Sequence, residues 1–244
     1  MLGAVSTGPY VECCTTPSHG PMVVPVLVIA VAMVAGLAVG WFSPEIAQRT
    51  CGLSVGVPRI VAALSGAVVL GAVSWAIGWG PVLPSLLYIG AVGTMLALID
   101  VEHHRLPDKL TLPSYPIVAA LLLIPAAVTG QWGEYGRAWL GALVMVGFYF
   151  ALALIYPGGM GMGDVKLSGV LGLGLGYLGW AFVVVGLFAA FVLGSVIGVA
   201  LMIFGKAGRK TAIPFGPFMI AGAILAMVFA QDLVDWYLKL AVGI

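Results

Sequence analysis

The chain is divided into long apolar runs that contain no Asp, Glu, Lys or Arg. These runs cover residues 13–44, 60–99, 110–133, 138–163, 167–205 and 211–231. A helix needs about 20 apolar residues to cross the roughly 30 Å of hydrocarbon in a bilayer, so each run is long enough for at least one crossing. Hydrophobic residues make up 62% of the chain and charged residues only 8%, whereas soluble domains carry about 25% charged residues. We therefore predict an all-α fold, a polytopic bundle of membrane-spanning helices.

The two longest runs predict two crossings each. Residues 78–84 interrupt the 60–99 run with glycines and prolines, a composition typical of a turn. The 167–205 run divides near residues 176–179, which leaves a short first half. We thus expect about eight transmembrane segments, one of them short, in a single membrane domain of residues 22–244. Residues 1–21 contain no Lys or Arg, so they lack the basic region of a secretory signal and are predicted to form a short polar tail.

The distribution of basic residues predicts the orientation of the bundle. With the N-terminus outside and eight crossings, the loops on one side carry Arg49, Arg59, Arg105, Lys109, Lys166, Lys206, Arg209 and Lys210. The other side carries only Arg137 and Lys239. Cytoplasmic loops are enriched in Lys and Arg, so the first side is predicted to face the cytoplasm. The net charge of +1 gives no indication of nucleic-acid binding.

Two aspartates stand at the ends of apolar runs on this predicted cytoplasmic side. Asp100 ends the 60–99 run, and Asp164 follows Gly161-Met162-Gly163 at the end of the 138–163 run. An acid so close to lipid is costly and therefore indicates a function. Two carboxylates within a few ångströms share a proton and titrate as a pair. One can then activate water while the protonated one polarises a carbonyl. This chemistry hydrolyses peptides without a cofactor, and we predict that Asp100 and Asp164 are catalytic.

The loop that follows Asp100 has two interpretations. Pro107 bends the chain, and Asp108 is placed to cap the next helix. Charged loop residues such as Glu102, Asp108 and Lys109 are usually only solvated, and that alternative stays open beside a role in substrate binding. The adjacent His103 and His104 do not have the spacing of metal ligands. With no CxxC pair among Cys13, Cys14 and Cys51, we predict no metal site.

Two further segments have both a structural and a functional interpretation. The glycines before Asp164 permit unusual backbone angles, so they either end a helix or expose N–H groups to an extended peptide. The segment Pro214-Phe215-Gly216-Pro217 either begins a helix, since proline is common in a first turn, or forms a wall of the active site on the same face.

Together these motifs resemble the type IV prepilin peptidases, the GxGD class of membrane aspartic proteases. The family has an aspartate followed by a loop that ends in Pro-Asp, a GxGD followed by Lys-Leu, and a late Pro-Phe-Gly-Pro. The resemblance covers roughly residues 85–230. It implies that Asp100 and Asp164 are the catalytic pair, and that the residues around them bind substrate. These are Gly161, Gly163, Lys166, Glu102, Asp108, Pro214, Phe215 and Gly216.

The resemblance also implies the partners and the place of action. Family members lie in the bacterial cytoplasmic membrane, and they cut the short basic leader from prepilins and pilin-like secretion proteins on the cytoplasmic side. These substrates are single-span membrane proteins. Many members also N-methylate the new terminus and carry two CxxC pairs in a cytoplasmic domain after the first span. Here that loop is predicted to be only about residues 43–58, with Cys51 alone. We therefore do not carry a zinc site or methyl transfer over to this chain.

Other classes of protein remain as alternatives. An ion- or proton-coupled transporter could use the same acids as cation sites, but it would place them in mid-membrane and show a repeat of broken helices. A non-catalytic assembly factor of a secretion system would keep the fold without activity. Within the protease class, a preflagellin-type enzyme is the nearest alternative.

Overall fold

Every regular element in the described residues of this computed structural model is a helix. The model describes residues 23–155, 160–204 and 214–242, so the predicted polar tail lies outside them. The helices are α1 (Val23–Cys51), α2 (Arg59–Ile77), α3 (Leu83–His103), α4 (Asp108–Thr129), α5 (Trp132–Ile155), α6 (Met162–Leu178), α7 (Trp180–Ile203) and α8 (Gly216–Val242). The predicted all-α membrane bundle is thereby confirmed.

Seven of the described helices are long and apolar enough to cross a membrane. The eighth is α6, which has 17 residues and corresponds to the short piece expected in the 167–205 run. The two predicted breaks are also found. Gly78 ends α2 with a φ of 70°, and Gly179 separates α6 from α7 with a φ of 151°. Because both angles are positive, a glycine is the residue that takes them at least cost.

The first loop is shorter than the sequence predicted. α1 continues through Pro44 to Cys51, so the expected loop of residues 43–58 is reduced to residues 52–58. The hydroxyl of Ser43 donates a hydrogen bond of 2.6 Å to the carbonyl oxygen of Val39. Ala47 is fully buried in a small core cluster with Met95 and Ile99 of α3. This packing stabilises the last turns of α1, and such tertiary contacts are not visible in the local sequence.

The short helix α6 forms the centre of the bundle. Its residues from Asp164 to Tyr177 are buried, with the exception of Lys166. A side chain at Gly172 would come within 2.7 Å of the Ala142 backbone, so the glycines of α6 allow α5 to approach closely. At the far end of α6, Arg137 donates hydrogen bonds of 2.8 and 2.7 Å to the carbonyl oxygens of Gly176 and Tyr177. α6 is therefore fixed to the start of α5 at the end opposite Asp164.

Candidate active site

Asp100 lies in the last turn of α3, at one end of the bundle. Its side chain is only 4% exposed. The backbone N–H of Gly216, the first residue of α8, donates a hydrogen bond of 2.9 Å to Asp100 Oδ2. A Cβ atom at position 216 would lie 2.9 Å from the same oxygen, so the glycine is what permits this approach. The Pro214–Pro217 segment, for which two interpretations were open, thus lies directly against the first acid.

Asp164 lies in the first turn of α6 and is 8% exposed. Gly161 is the N-cap of α6, and its N–H donates a 3.3 Å hydrogen bond to Asp164 Oδ2. The other carboxylate oxygen, Oδ1, is buried and has no hydrogen-bond partner among the described residues.

The two acids lie at the same end of the bundle. The loop that follows Asp100 contacts the start of α6, where a Cβ at Gly163 would lie 2.7 Å from the Cβ of Leu106. The charge of Asp100 acts on Asp164, and that of His104 acts on Asp100. Both acids are shielded from water, which strengthens the interaction between their charges. Two carboxylates whose charges interact cannot both ionise freely, and a pair of this kind can supply a general base and a general acid.

An ion pair and a close packing contact hold the start of α6. Lys166 Nζ lies 2.7 Å from both carboxylate oxygens of Asp108, and the Tyr115 hydroxyl donates a 2.6 Å hydrogen bond to the Lys166 carbonyl. A Cβ at Gly163 would lie 2.7 Å from the Cβ of Leu106. Gly163 therefore allows the loop after α3 to approach α6 closely. Gly161 has no such packing role and is exposed.

Asp108 does not cap α4 as the sequence predicted. The N-cap of α4 is Pro107, with no side-chain hydrogen bond. The Asp108 carboxylate instead reaches across to Lys166 on α6. The prediction was wrong because a cation from a distant part of the chain competes for this carboxylate.

Glu102 and its neighbours attach the end of α1 and the 52–58 loop to α3 and α4. The N–H of Gly56 donates a 2.6 Å hydrogen bond to Glu102 Oε2. His103 Nε2 lies 2.8 Å from the carbonyl oxygen of Ser54, and Lys109 donates a 3.0 Å bond to the carbonyl of Thr50. Glu102 thus has a structural contact at the same end of the bundle as the acids.

Tyr149 is a neighbour of Asp164 that the sequence did not indicate. It lies on α5, is fully buried, and interacts electrostatically with Asp164. The only available signal was a hydroxyl-bearing ring within a charge-free helix, where a polar group needs a partner. No group of three or more His, Cys, Asp or Glu side chains suited to a metal occurs in residues 23–155, 160–204 and 214–242. Cys13 and Cys14 lie outside these ranges.

The model of the type IV leader peptidase family matches residues 86–199, which contain both acids. Residues 86–199 are therefore similar to this family, as the motifs indicated, and the chain is a multi-pass helical membrane protein.

Curated relatives agree with the family match. The chain is 30% identical to the prepilin leader peptidase/N-methyltransferase of Bacillus subtilis (strain 168) over 164 residues, which cover 66% of this chain and 61% of the relative. It is 31% identical to the protein of the same name from Aeromonas hydrophila over 189 residues, 75% of this chain and 60% of the relative. A third match, from Legionella pneumophila, is 32% identical over 59% of this chain and 49% of the relative. The chain thus spans about three fifths of the first two relatives. No solved structure matches it.

Proposed function

We propose that this chain is a membrane aspartic endopeptidase that removes the basic leader of prepilins or pilin-like secretion proteins. The observation that carries the proposal is the pair of buried, interacting carboxylates inside the region that is similar to the leader peptidase family. We assign the catalytic roles to Asp100 and Asp164. The proposal covers cleavage only, although the names of the relatives also include N-methyltransferase.

In the proposed reaction the pair begins with one shared proton. The ionised carboxylate takes a proton from water, and the oxygen of that water forms a bond to the scissile carbonyl carbon. The protonated carboxyl group donates a hydrogen bond to the carbonyl oxygen and stabilises the charge that develops there. The carbon–nitrogen bond then breaks, and the leaving nitrogen receives a proton from the pair. This cycle returns the pair to its single-proton state and needs no metal.

We infer that the acids face the cytoplasm. The ends of helices that meet around the acids carry Arg49, Arg59, Arg105, Lys109 and Lys166, and the opposite end carries Arg137 and Lys239 among the described residues. This asymmetry follows the positive-inside rule. The predicted Lys206, Arg209 and Lys210 cluster lies outside the described residues.

The surroundings of the acids support a peptide substrate with a basic leader. Asp108 carries a half-exposed carboxylate even though it pairs with Lys166, so a basic leader could compete for it. Glu102 lies on the same end of the bundle. We propose that the exposed backbone at Gly161, together with Gly163, Pro214 and Phe215, lines the path of the scissile segment. The role of each remains a prediction.

A groove beside Asp100 fits the apolar helix that follows the leader of such a substrate. Its walls come from α2, α3 and α8, and they include Thr94, Leu98, Val101 and Pro217. Leu98 and Val101 lie close to Asp100 in sequence. Pro217 follows Gly216, whose N–H donates a hydrogen bond to Asp100. Because the groove is almost entirely apolar and its lining residues adjoin Asp100 and Gly216 in the chain, we propose that it holds the first turns of the substrate helix. Lipid would otherwise fill it.

Cleavage of a co-expressed pilin precursor tests the proposed activity. Membranes that contain the protein and a precursor with a basic leader should yield the shortened pilin, identified by mass spectrometry of its N-terminus. The same spectrum shows whether the new amine is methylated. Asp100→Asn and Asp164→Asn should each abolish cleavage, while Asp232→Asn, which changes an exposed acid far along α8, should cleave normally. Normal processing by both active-site variants would refute the proposal.

A crosslinking experiment tests the groove separately. The three native cysteines would be replaced by serine, and one cysteine placed in the first turn of the pilin helix. Oxidation should crosslink it to Val101→Cys, which lines the groove and is half exposed. It should not crosslink to Leu143→Cys, an exposed residue of α5. Equal crosslinking at both positions would indicate that lipid, rather than substrate, occupies the groove.

A further inference from the structure

Tyr149 is held rigidly beside the acids by aromatic packing. Its ring stacks on Phe191 of α7 with a centroid distance of 5.6 Å and an interplanar angle of 19°. It also packs against Phe215, at 6.1 Å, and Phe215 directly precedes the glycine that donates to Asp100. The ring is fully buried, so the surrounding packing restricts the position of its hydroxyl.

The Tyr149 hydroxyl and Asp164 Oδ1 are complementary groups. Both atoms are buried without a hydrogen-bond partner among the described residues, and Tyr149 interacts with the charge of Asp164. A phenol can donate one hydrogen bond, and a carboxylate oxygen accepts one. Buried polar groups are almost always paired in native proteins. Hydrogen bonds at active sites are often long before substrate binds and shorten in the working complex.

We propose that Tyr149 is a positioning residue that donates a hydrogen bond to Oδ1 of ionised Asp164. This inference rests on the proposed peptidase function. The bond fixes the carboxylate rotamer, since Gly161 already holds the other oxygen. It also stabilises the negative charge of Asp164 whenever that carboxylate is ionised.

Other titratable groups lie around this proposed contact and contribute to its electrostatic environment. They are Asp100 from α3, the Lys166–Asp108 pair that joins α6 to α4, and Tyr115, which binds the Lys166 carbonyl. His104 acts on Asp100. None of these groups changes in a Tyr149→Phe variant, which removes only the hydroxyl and keeps the aromatic packing.

Kinetics of Tyr149→Phe in membranes test the inference. We expect kcat to fall about tenfold or more, since hydrogen bonds to charged groups contribute at this level, while KM stays within about twofold because no substrate contact is lost. The limb of the kcat profile that reports the ionisation of Asp164 should move about one pH unit higher, as one unit corresponds to a tenfold change in ionisation. Tyr177→Phe is the matched control, because it removes a buried hydroxyl at the far end of α6. It should leave both parameters and the profile unchanged.

A second measurement does not depend on cleavage. Hydrophobic carbodiimides react with protonated carboxyl groups in membranes, and mass spectrometry locates the adduct. In Tyr149→Phe, labelling of Asp164 should persist to a pH about one unit higher than in the wild type. An unchanged labelling midpoint in Tyr149→Phe, or a kinetic loss equal to that of Tyr177→Phe, would overturn the inference even if cleavage is confirmed. A shifted midpoint in a protein that cleaves no pilin would support the contact and reject the peptidase function.

Discussion

Replacing Gly216 by alanine should separate the activity of this protein from its stability. The added Cβ would lie 2.9 Å from Asp100 Oδ2, a distance at which the carboxylate or the start of α8 must move. The 2.9 Å hydrogen bond from the Gly216 N–H to that oxygen would lengthen or break. Hydrogen bonds to charged groups contribute about 1.5–3 kcal/mol. If most of this is lost in the transition state, kcat/KM falls by about 10- to 100-fold.

The stability of the same variant should change less than its activity. Gly216 does not have a positive φ, so alanine introduces no backbone strain there. Alanine is favoured over glycine within a helix by about 1 kcal/mol, a gain that is smaller at the first helical residue and offsets part of the loss of the hydrogen bond. We therefore expect a thermal unfolding temperature in detergent slightly below that of the wild type, together with a large loss of cleavage.

The assay compares initial rates of pilin cleavage with the unfolding temperature of the same preparation. Gly147→Ala is the matched control, because position 147 of α5 is exposed and a Cβ there meets no atom within 4 Å. It should behave as the wild type in both measurements. Wild-type cleavage by Gly216→Ala would refute the role of this hydrogen bond. A fall in stability as large as the fall in activity would show that the position serves packing instead.

The remaining predictions concern the acid pair and the start of α6. The pH profile of cleavage should be bell-shaped, because activity is lost when both Asp100 and Asp164 are protonated and again when both are ionised; a rate that rises to a plateau at high pH would contradict a shared proton. Gly163→Ala should lower the unfolding temperature and the rate, since its Cβ would lie 2.7 Å from Leu106, whereas Gly161→Ala, with 3.4 Å to the nearest atom, should keep the stability of the wild type. Lys166→Asp should reduce cleavage only a few-fold, because partly exposed ion pairs contribute at most about 1 kcal/mol, and adding Asp108→Lys should restore the rate; no recovery in the double variant would show that Lys166 acts on something other than Asp108.

The apolar runs predicted most of the fold because lipid leaves the backbone few alternatives to a helix. Breaks at Gly78 and Gly179 were predictable for the same reason, since a turn between spans needs permissive residues. The prediction that Asp100 and Asp164 lie at the same end of the bundle followed from counting the membrane crossings. The Asp108–Lys166 pair, the Gly56–Glu102 bond and the extension of α1 were not predictable, because each depends on contacts between distant segments. Tyr149 was missed because aromatic residues in membrane helices usually serve packing alone.

The hydrogen bonds at the end of α6 fix the distance between Asp164 and the opposite end of the bundle. Arg137 fixes the last turn of α6 to the start of α5, and 17 residues at 1.5 Å each span about 25 Å. The length of α6 therefore fixes the position of Asp164 along the bundle axis relative to the start of α5. One residue inserted into α6 would push the acid about 1.5 Å along the axis and turn it by about 100°. The length of α6 thus sets the height at which any bound chain meets this carboxylate.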